Sequence, residues 1–475
     1  MSRIAFVQNL SFEYLGFAYL AGILKKNKHR VEIFIGDGGR KMISEIISYE
    51  PDIIGFSCTT GVHRQCLKIA GELKRKIKTP IIFGGPHPTY FPEIIEHPAV
   101  DIVCIGEGEY AVLELAGLID RKENISAVKN CWVKSNGKIV KNELRPLVSN
   151  LDSLPFPDHE AYYRKYPYLD KSLKVFMTTR GCPFDCAFCF NHVLRKMYEG
   201  KGKYVRRRSV ENVISEIKRV RDNYNLKTVC IGDDVFILNR EWFRNFADAY
   251  EREVNLPLIC SIRADSVDEE TVKILKKIGC RSVFFGIESG NQNLRNRLLK
   301  KKISNEQIVK TGGLLKKYGI KFRTYNILGF PSETLDEAID TVKINTEIKT
   351  DYPWCSIFYP YPKTELGEYA SSGGFLERSL NDADPSFFHT SVVKSEYKKE
   401  FENLQKLFFY AVKFPFLLPF IRKVIKLPRN IFFNLAFLSS YGWCYLKVEN
   451  VTLKELISIA RKNTRKFFFE KGRAN

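Results

Sequence analysis

The chain has 475 residues, 44% hydrophobic and 27% charged, a globular composition too long for a disulfide-built scaffold and for a single core, so two or three domains are expected. The formal net charge of +21 points to an anionic partner: nucleic acid, a membrane surface or an acidic substrate. The twelve cysteines follow no secreted pattern and "MSRIAFVQNL" lacks the apolar run of a signal peptide, which together favour a reducing cytoplasm.

Residues 1 to about 145 alternate short apolar runs with helical ones. "RIAFVQN", "RVEIFIG", "DIIGFSC", "PIIFGG" and "DIVCIG" read as strands, apolar on both faces. "YLGFAYLAGILKKNKH", "RKMISEIISYE", "RQCLKIAGELKRKIK" and "EYAVLELAGLID" read as helices. This order predicts a doubly wound parallel sheet, with ligands at the carboxyl ends of its strands. Small and polar residues gather there: Ser57, Thr59 and Thr60, then Gly84 and Gly85, then Gly106 and Gly108. "CWVKSNGKIVKNELRPLV" predicts a hairpin turning at Asn136-Gly137. The proline- and aromatic-rich stretch "LDSLPFPDHEAYYRKYPY" reads as a linker packed on a surface, assigned to 148–172.

A second alternating series fills 173–374. Its strands are "KVFMTTRG", "TVCIGDD", "PLICSIRAD", "SVFFGIES", "KFRTYNILG" and "WCSIFYP". Six such units predict a partial β/α barrel, with its active site at the strand ends. From 375 to 475 the pattern becomes a helical, basic and aromatic extension, with 17 Lys and Arg against 6 Asp and Glu from 391 onward. Pro415, Pro419 and Pro428 interrupt it, leaving no stretch of ~20 apolar residues to cross a membrane. It reads either as a lid over the barrel mouth or as a membrane-surface segment. No nucleic-acid recognition motif is present, and no nucleic-acid partner is expected.

The first barrel strand leads into "TTRGCPFDCAFCF", with Cys182, Cys186 and Cys189 spaced C-x3-C-x2-C. Gly181 and Pro183 favour a tight loop that turns all three thiols inward. Thiolates ligate iron–sulfur clusters. Zinc is the rival and needs a fourth ligand, for which His192 is near enough.

This spacing, with Phe188 before the last cysteine, resembles the radical S-adenosylmethionine (SAM) superfamily. The resemblance implies a [4Fe–4S] cluster on Cys182, Cys186 and Cys189, SAM on the fourth iron, and a 5′-deoxyadenosyl radical. It also implies SAM contacts from Phe188 and the strand ends: Asp233 and Asp234 (in place of a "GGE"-like segment), Arg263, Glu288, Ser289, and Gly329 in "NILGFPSET". Read without the resemblance, the two aspartates are candidate caps of the following helix. The "YLGFAYLAGIL", "IIFGGPHPT" and "VDIVCIGEGE" segments are similar to the cobalamin-binding domain of cobalamin-dependent members, making 1–147 that domain and 173–374 the radical core. The strand-end residues from Ser57 to Gly108 named above are then cobalamin contacts, the glycines admitting a large flat ring. An Asp-x-His-x-x-Gly motif is absent; His63, at a helix start, and His87, in a turn, are the only histidines near the expected loops.

The resemblance implies an enzyme that methylates a poorly activated carbon. The alternatives are an oxidative cyclase like anaerobic magnesium-protoporphyrin ester cyclase, and a non-catalytic cobalamin or redox sensor. Expected partners are a small-molecule or lipid-like substrate and an electron donor such as flavodoxin or ferredoxin. The expected location is the cytoplasm, with a peripheral position at the inner face of the membrane as the sharper reading.

Overall fold

The computed structural model describes residues 1–378 and 390–449. They form two compact units, Met1–Lys171 with Met197–Lys203, and Ser172–Lys196 with the chain from Tyr204 onward.

The first unit is built on a seven-stranded sheet: β1 (Arg3–Gln8), β2 (Arg30–Ile35), β3 (Ile53–Ser57), β4 (Ile81–Gly84), β5 (Ile102–Cys104), β6 (Cys131–Ser135) and β7 (Lys138–Lys141). The order is β2-β1-β3-β4-β5-β6-β7, parallel through β5. The predicted hairpin is present, turning at Asn136 and Gly137 with positive φ, and pairs antiparallel to β5. Helices Leu15–Lys26 and Glu109–Asp120 pack together, as do Arg40–Ser48 and His63–Lys74. Phe34, Ile54, Phe56 and Phe83 share a buried core with Ile43, Ile46, Ile69 and Leu73 of the second helix pair. The chain direction reverses between β1 and β3, and the open crevice of such a sheet lies at the strands' carboxyl ends there.

The 148–171 stretch is knitted into this unit. Tyr162 is fully buried; its hydroxyl donates to Gln8 Oε1 (2.6 Å) and accepts from Tyr14 N (3.0 Å). A Cβ on Gly22 would lie 2.5 Å from Phe156 O, so a glycine is required on the first helix where this stretch crosses it.

The second unit carries β8 (Leu173–Phe176), β9 (Thr179–Arg180), β10 (Arg206–Arg207), β11 (Thr228–Ile231), β12 (Leu258–Ser261), β13 (Cys280–Glu288), β14 (Lys321–Leu328) and β15 (Tyr352–Ile357). Six are parallel in sequential order, β8-β11-β12-β13-β14-β15, the partial barrel expected; β9 and β10 make a separate antiparallel ribbon. The intervening helices start on side-chain caps: Ser209, Asn239, Asp268, Ser304 and Thr334, the last two as full capping boxes. Asn239 therefore caps the helix after β11, and neither Asp233 nor Asp234 does, correcting the simple cap reading.

Helix Lys398–Lys413 packs on β15 and on helix Leu335–Glu347, burying Phe401, Leu404 and Phe408 against Leu328, Ile339 and Ile357. Gln405 Nε2 donates to Cys355 O (3.0 Å), satisfying a carbonyl on the edge strand. Helix Ile431–Glu449 packs on helix Lys398–Lys413. Among the described residues no helix is long and apolar enough to cross a membrane.

Candidate active site

The cysteine loop leaves β9 at Gly181, whose φ is +88° and where a Cβ would fall 2.6 Å from Tyr204 O, so a side chain is excluded. Ala187, buried, donates its N–H to Leu299 O (3.0 Å) and accepts from Leu366 N (2.9 Å). These two bonds staple the loop's centre between the segments after β13 and β15. Helix Phe190–Met197 then closes the loop.

Cys182, Cys186 and Cys189 are free and partly accessible; of the other nine cysteines only Cys230 is not buried. Donors surround the sulfurs. Phe184 N–H bonds Cys182 and lowers its thiol pKa, but burial outweighs this and pushes it up to about 11. Arg263 Nη1 lies 3.8 Å from Cys186 Sγ. Asn191 approaches Cys189 Sγ twice, through its backbone N–H (3.5 Å) and Nδ2 (3.6 Å). Burial also raises the Cys189 thiol, against these bonds. Such donors suit thiolates, and bound iron supplies the positive charge that buried thiolates need. His192 Nδ1 is buried without a hydrogen-bond partner. Among the described residues no three His, Cys, Asp or Glu side chains converge as ligands of one metal ion. Thiols that share a polynuclear cluster need not meet at one atom.

The strand ends around the loop are wired by buried charge. Asp233 is buried and accepts from Thr178 N (2.7 Å), Thr179 N (3.1 Å) and the Thr178 hydroxyl, so it ties β11 to the turn after β8. Burial raises its carboxyl above the usual range, and these bonds partly oppose that. Asp234 points the other way; solvent still reaches it, and Asn191 Nδ2 donates to it at 3.2 Å. The crowded mouth raises its carboxyl too. Asn191 thus bridges Cys189 and Asp234, and its Oδ1 accepts from Tyr204 hydroxyl (3.0 Å).

Arg263, after β12, stacks its guanidinium 3.6 Å from the Phe184 ring centroid, pairs with both Asp265 oxygens (3.0 and 2.8 Å) and donates to Lys301 O (2.9 Å). Lys301 Nζ in turn pairs with Glu288 Oε1 at 2.6 Å, both side chains buried. Glu288 ends β13 at a bulge with φ +66°, a conformation costing on the order of 1–3 kcal/mol for a non-glycine residue and held here by the ion pair. Ser289 is fully buried; its carbonyl accepts from buried Arg295 (2.7 Å) and its hydroxyl from Asn291 N (3.2 Å). Gly329 turns after β14 with φ +83°; its N–H and that of Phe330 donate to Glu333 Oε2 (2.6 and 3.0 Å). Phe188 packs in an apolar cluster with Leu294, Phe330 and Phe358.

In the first unit, Ser57 ends β3 and Thr59 and Thr60 follow it, Gly84 ends β4 and Gly85 follows it, and Gly106 and Gly108 follow β5, so adjacent parallel strands bring all seven to one edge. Two glycines have internal reasons. A Cβ on Gly106 would fall 1.8 Å from the Tyr198 hydroxyl, and one on Gly85 2.6 Å from Ser57 Oγ; both have positive φ. Around Gly84 and Gly108 the nearest atoms stay at 3.5 Å or beyond, leaving ordinary contact space. Thr60 Oγ1 meets His87 Nδ1 at 3.0 Å, and the His63 and His87 rings stack at 3.8 Å. His87 lies in a short helix, Pro86–Tyr90, where a turn was expected. His63 Nδ1 accepts from Gly61 N (3.1 Å), and burial lowers its pKa to about 4. A neutral imidazole that accepts at Nδ1 carries its proton on Nε2, so neither nitrogen offers a lone pair outward.

The comparisons with known proteins meet this geometry. The family model described as Radical SAM superfamily matches residues 176–344, and that described as B12 binding domain matches 9–116. An uncharacterized methyltransferase of Pyrococcus horikoshii, PH0819, is 32% identical over 372 residues, 76% of this chain and 79% of that protein. The chain belongs to the radical SAM superfamily, with a B12-binding domain. Anaerobic magnesium-protoporphyrin IX monomethyl ester cyclase of Rubrivivax gelatinosus is 27% identical over 411 residues, 82% of this chain and 71% of that protein. The radical SAM methyltransferase TsrM from Kitasatospora setae, solved with cobalamin and a [4Fe–4S] cluster bound, shares the fold: TM-score 0.66 at 18% identity, covering 80% of each chain.

The cofactors of this radical SAM protein are a [4Fe–4S] cluster, SAM and cobalamin. Its residues fit them: three free thiols with donors aimed at the sulfurs, and a row of small residues, Ser57, Gly84, Gly85, Gly106 and Gly108, at the strand ends of the B12-binding domain. Sequence reasoning missed Asn191, Asp265, Lys301 and Glu333. Asn191 was within reach of it, two residues past the last cysteine; Lys301 sits in the run Lys300-Lys301-Lys302 with nothing to single it out.

Proposed function

We propose that this enzyme transfers a methyl group to a poorly activated carbon of a small-molecule or lipid-like substrate. The cysteine loop, stapled at Ala187 and lined with donors at the ends of a six-stranded parallel barrel, carries the proposal. A methyltransferase relative at 32% identity supports it. When bound, the cluster and SAM supply a 5′-deoxyadenosyl radical, and cobalamin carries the methyl group.

The chain's own residues hold and shield that chemistry. Cys182, Cys186 and Cys189 hold the cluster. Arg263 and Asn191 place N–H groups on two of the sulfurs. Asp234 is the accessible carboxylate at the mouth, suited to a ligand's ammonium group, whereas Asp233 orients the loop's approach through Thr178 and Thr179. The Glu288–Lys301 pair keeps the end of β13 neutral overall, next to the buried Ser289. Phe188 and its apolar neighbours form a wall that excludes water, and Gly329 provides the turn beside it. Ser57, Thr59, Thr60, Gly84, Gly85, Gly106 and Gly108 line the cobalamin edge. A low-potential donor such as flavodoxin or ferredoxin supplies the electron, in the cytoplasm.

The test is anaerobic. The reconstituted enzyme is given SAM and dithionite, and 5′-deoxyadenosine and S-adenosylhomocysteine are quantified. Both products support methyl transfer. 5′-Deoxyadenosine alone supports the second reading, an oxidative cyclisation, favoured by the cyclase relative that matches 82% of the chain. Neither product from a fully loaded enzyme overturns both.

A further inference from the structure

Eight of the fourteen large hydrophobic side chains that the described chain leaves in solvent lie between Phe414 and Trp443, so exposure is concentrated in one segment. Phe416 is 78% exposed, Phe432 75%, Ile431 67% and Phe420 63%. Soluble surfaces carry such residues singly; a cluster of them marks an interaction site.

This segment is built, not loose. Helix Leu418–Val424 buries Ile421, and with the following Ile425 it joins the core around Leu404 and Phe408. Buried Asn403 donates to Ile425 O (2.8 Å) and Leu427 O (2.9 Å), fixing the turn that presents Leu427. Phe416, in the 3-10 turn Pro415–Leu417 that precedes helix Leu418–Val424, and Phe420 and Lys423 on that helix are exposed, whereas Ile421 and Ile425 are buried.

The charge is one-sided. From Lys413 to Val448 there are six Lys and Arg and no Asp or Glu. Arg422 is neutralised by Asp336 (2.6 Å) and Arg429 by Glu402, while exposed Lys423 and Lys426 form no ion pair among the described residues. A second copy docking the same patch would set lysine against lysine. Residues 450–475 carry seven Lys and Arg against two Asp and Glu, so they too are poorly matched as a cover. An anionic bilayer satisfies both features at once: it takes aromatic and aliphatic side chains at the headgroup–acyl boundary and cations at its surface.

We propose that the segment from Phe414 to Leu435 docks the enzyme on an anionic lipid surface, with Phe416, Phe420, Ile431 and Phe432 entering the boundary and Lys423 and Lys426 meeting the headgroups. Because this segment is packed on helix Lys398–Lys413 and thereby on β15, docking holds the barrel itself at the membrane. The inference does not depend on which reaction the barrel performs.

The test is co-sedimentation of the full-length, cluster-loaded enzyme with vesicles of phosphatidylglycerol and phosphatidylcholine in equal parts, against phosphatidylcholine alone. Binding to the anionic vesicles only, weakened by salt, is expected. K423Q/K426Q should lower the partition by roughly thirtyfold, and F416S/F420S/F432S by at least about tenfold, both with unchanged cluster absorbance and unchanged SAM cleavage in solution. Wild type that remains in the supernatant with anionic vesicles overturns the proposal. So does undiminished binding by both variants, which places the membrane contact elsewhere in the chain. Concentration-dependent dimerisation that F416S/F420S/F432S abolishes, without vesicle binding, overturns it in favour of a second copy.

Discussion

At the carboxyl ends of β3, β4 and β5 most polar contacts join hydroxyls, an imidazole and main chain within this sheet's own loops: Thr60 to His87, and Thr89 to Gly85 O and Gly106 N; the acidic exceptions are Glu107, which accepts from Val148 N (3.0 Å), and buried Glu109. At the carboxyl ends of β11, β12 and β13 buried charged groups predominate and pair with one another or with main chain: Asp233 with Thr178, Arg263 with neighbouring Asp265 and with Lys301 O, Glu288 with Lys301. The two sheets share a parallel architecture and solve different problems with it. A large ring needs an uncluttered edge, and small neutral residues leave one. A cluster and a charged ligand need fixed dipoles and ions, and these must be over-determined, because an unpaired buried charge is costly.

The comparison can be broken first at the cysteines. C182A/C186A/C189A should lose the iron content and broad visible absorbance of the cluster and all SAM cleavage, while cobalamin binding by the first unit persists; iron analysis, absorbance and product analysis read this out. Loss of cobalamin as well would show that the two sites are not separable.

The wiring of the barrel is tested next. Lys301→Met leaves Glu288 buried without a partner and should cost about 3–5 kcal/mol, seen as a lower denaturation midpoint; E288M/K301M should recover much of that loss. Equal losses in both variants would mean that the pair is not the unit of stability.

A third test uses pH. Burial raises Glu333 from the ordinary 4.5 to about 8, although the Gly329 and Phe330 N–H groups oppose the shift. The folded state then keeps this proton up to about pH 8, while the unfolded chain releases it near the ordinary value. Stability therefore falls as pH rises between the two, by at most about 1.4 kcal/mol per unit from this group. E333Q should flatten that part of the profile, measured as melting temperature across the window. An unchanged slope would place the proton elsewhere.

The smallest expected effect is in the first unit's sheet. Since Nδ1 of His63 accepts from Gly61 N and the ring stays neutral, H63A should leave the cob(II)alamin electron paramagnetic resonance spectrum without nitrogen splitting, as in wild type. A nitrogen splitting that H63A removes would assign cobalt ligation to His63.

Much of the fold was legible because parallel strands buried on both faces tend to be apolar runs, as in "TVCI" and "LICS" of β11 and β12, while "KFRTYNIL" of β14 is read from its place in the alternation of strands and helices. The cysteine loop stands out because its pattern is local: three thiols within eight residues. The wiring was not legible, because it depends on partners far apart in the chain. Lys301 lies 13 residues from Glu288 and 38 from Arg263, and Asp233 lies 55 from Thr178. Gly106 carries a second constraint of the same long-range kind: a Cβ there would meet the Tyr198 hydroxyl, 92 residues on, and no local signal shows this. The 148–172 stretch reads as a linker because prolines and aromatics dominate it; the buried Tyr162, reaching back to Gln8, ties it to the first unit, which runs to Lys171.

The staple at Ala187 has a consequence for assembly. Its two backbone bonds join the loop to residues more than a hundred positions downstream, and neither bond involves a thiol. The loop's centre is thus held by the barrel's own main chain as well as by whatever its thiols bind. A chain without the three thiols is expected to keep this path, read out as unchanged amide-exchange protection at Ala187 and Leu366.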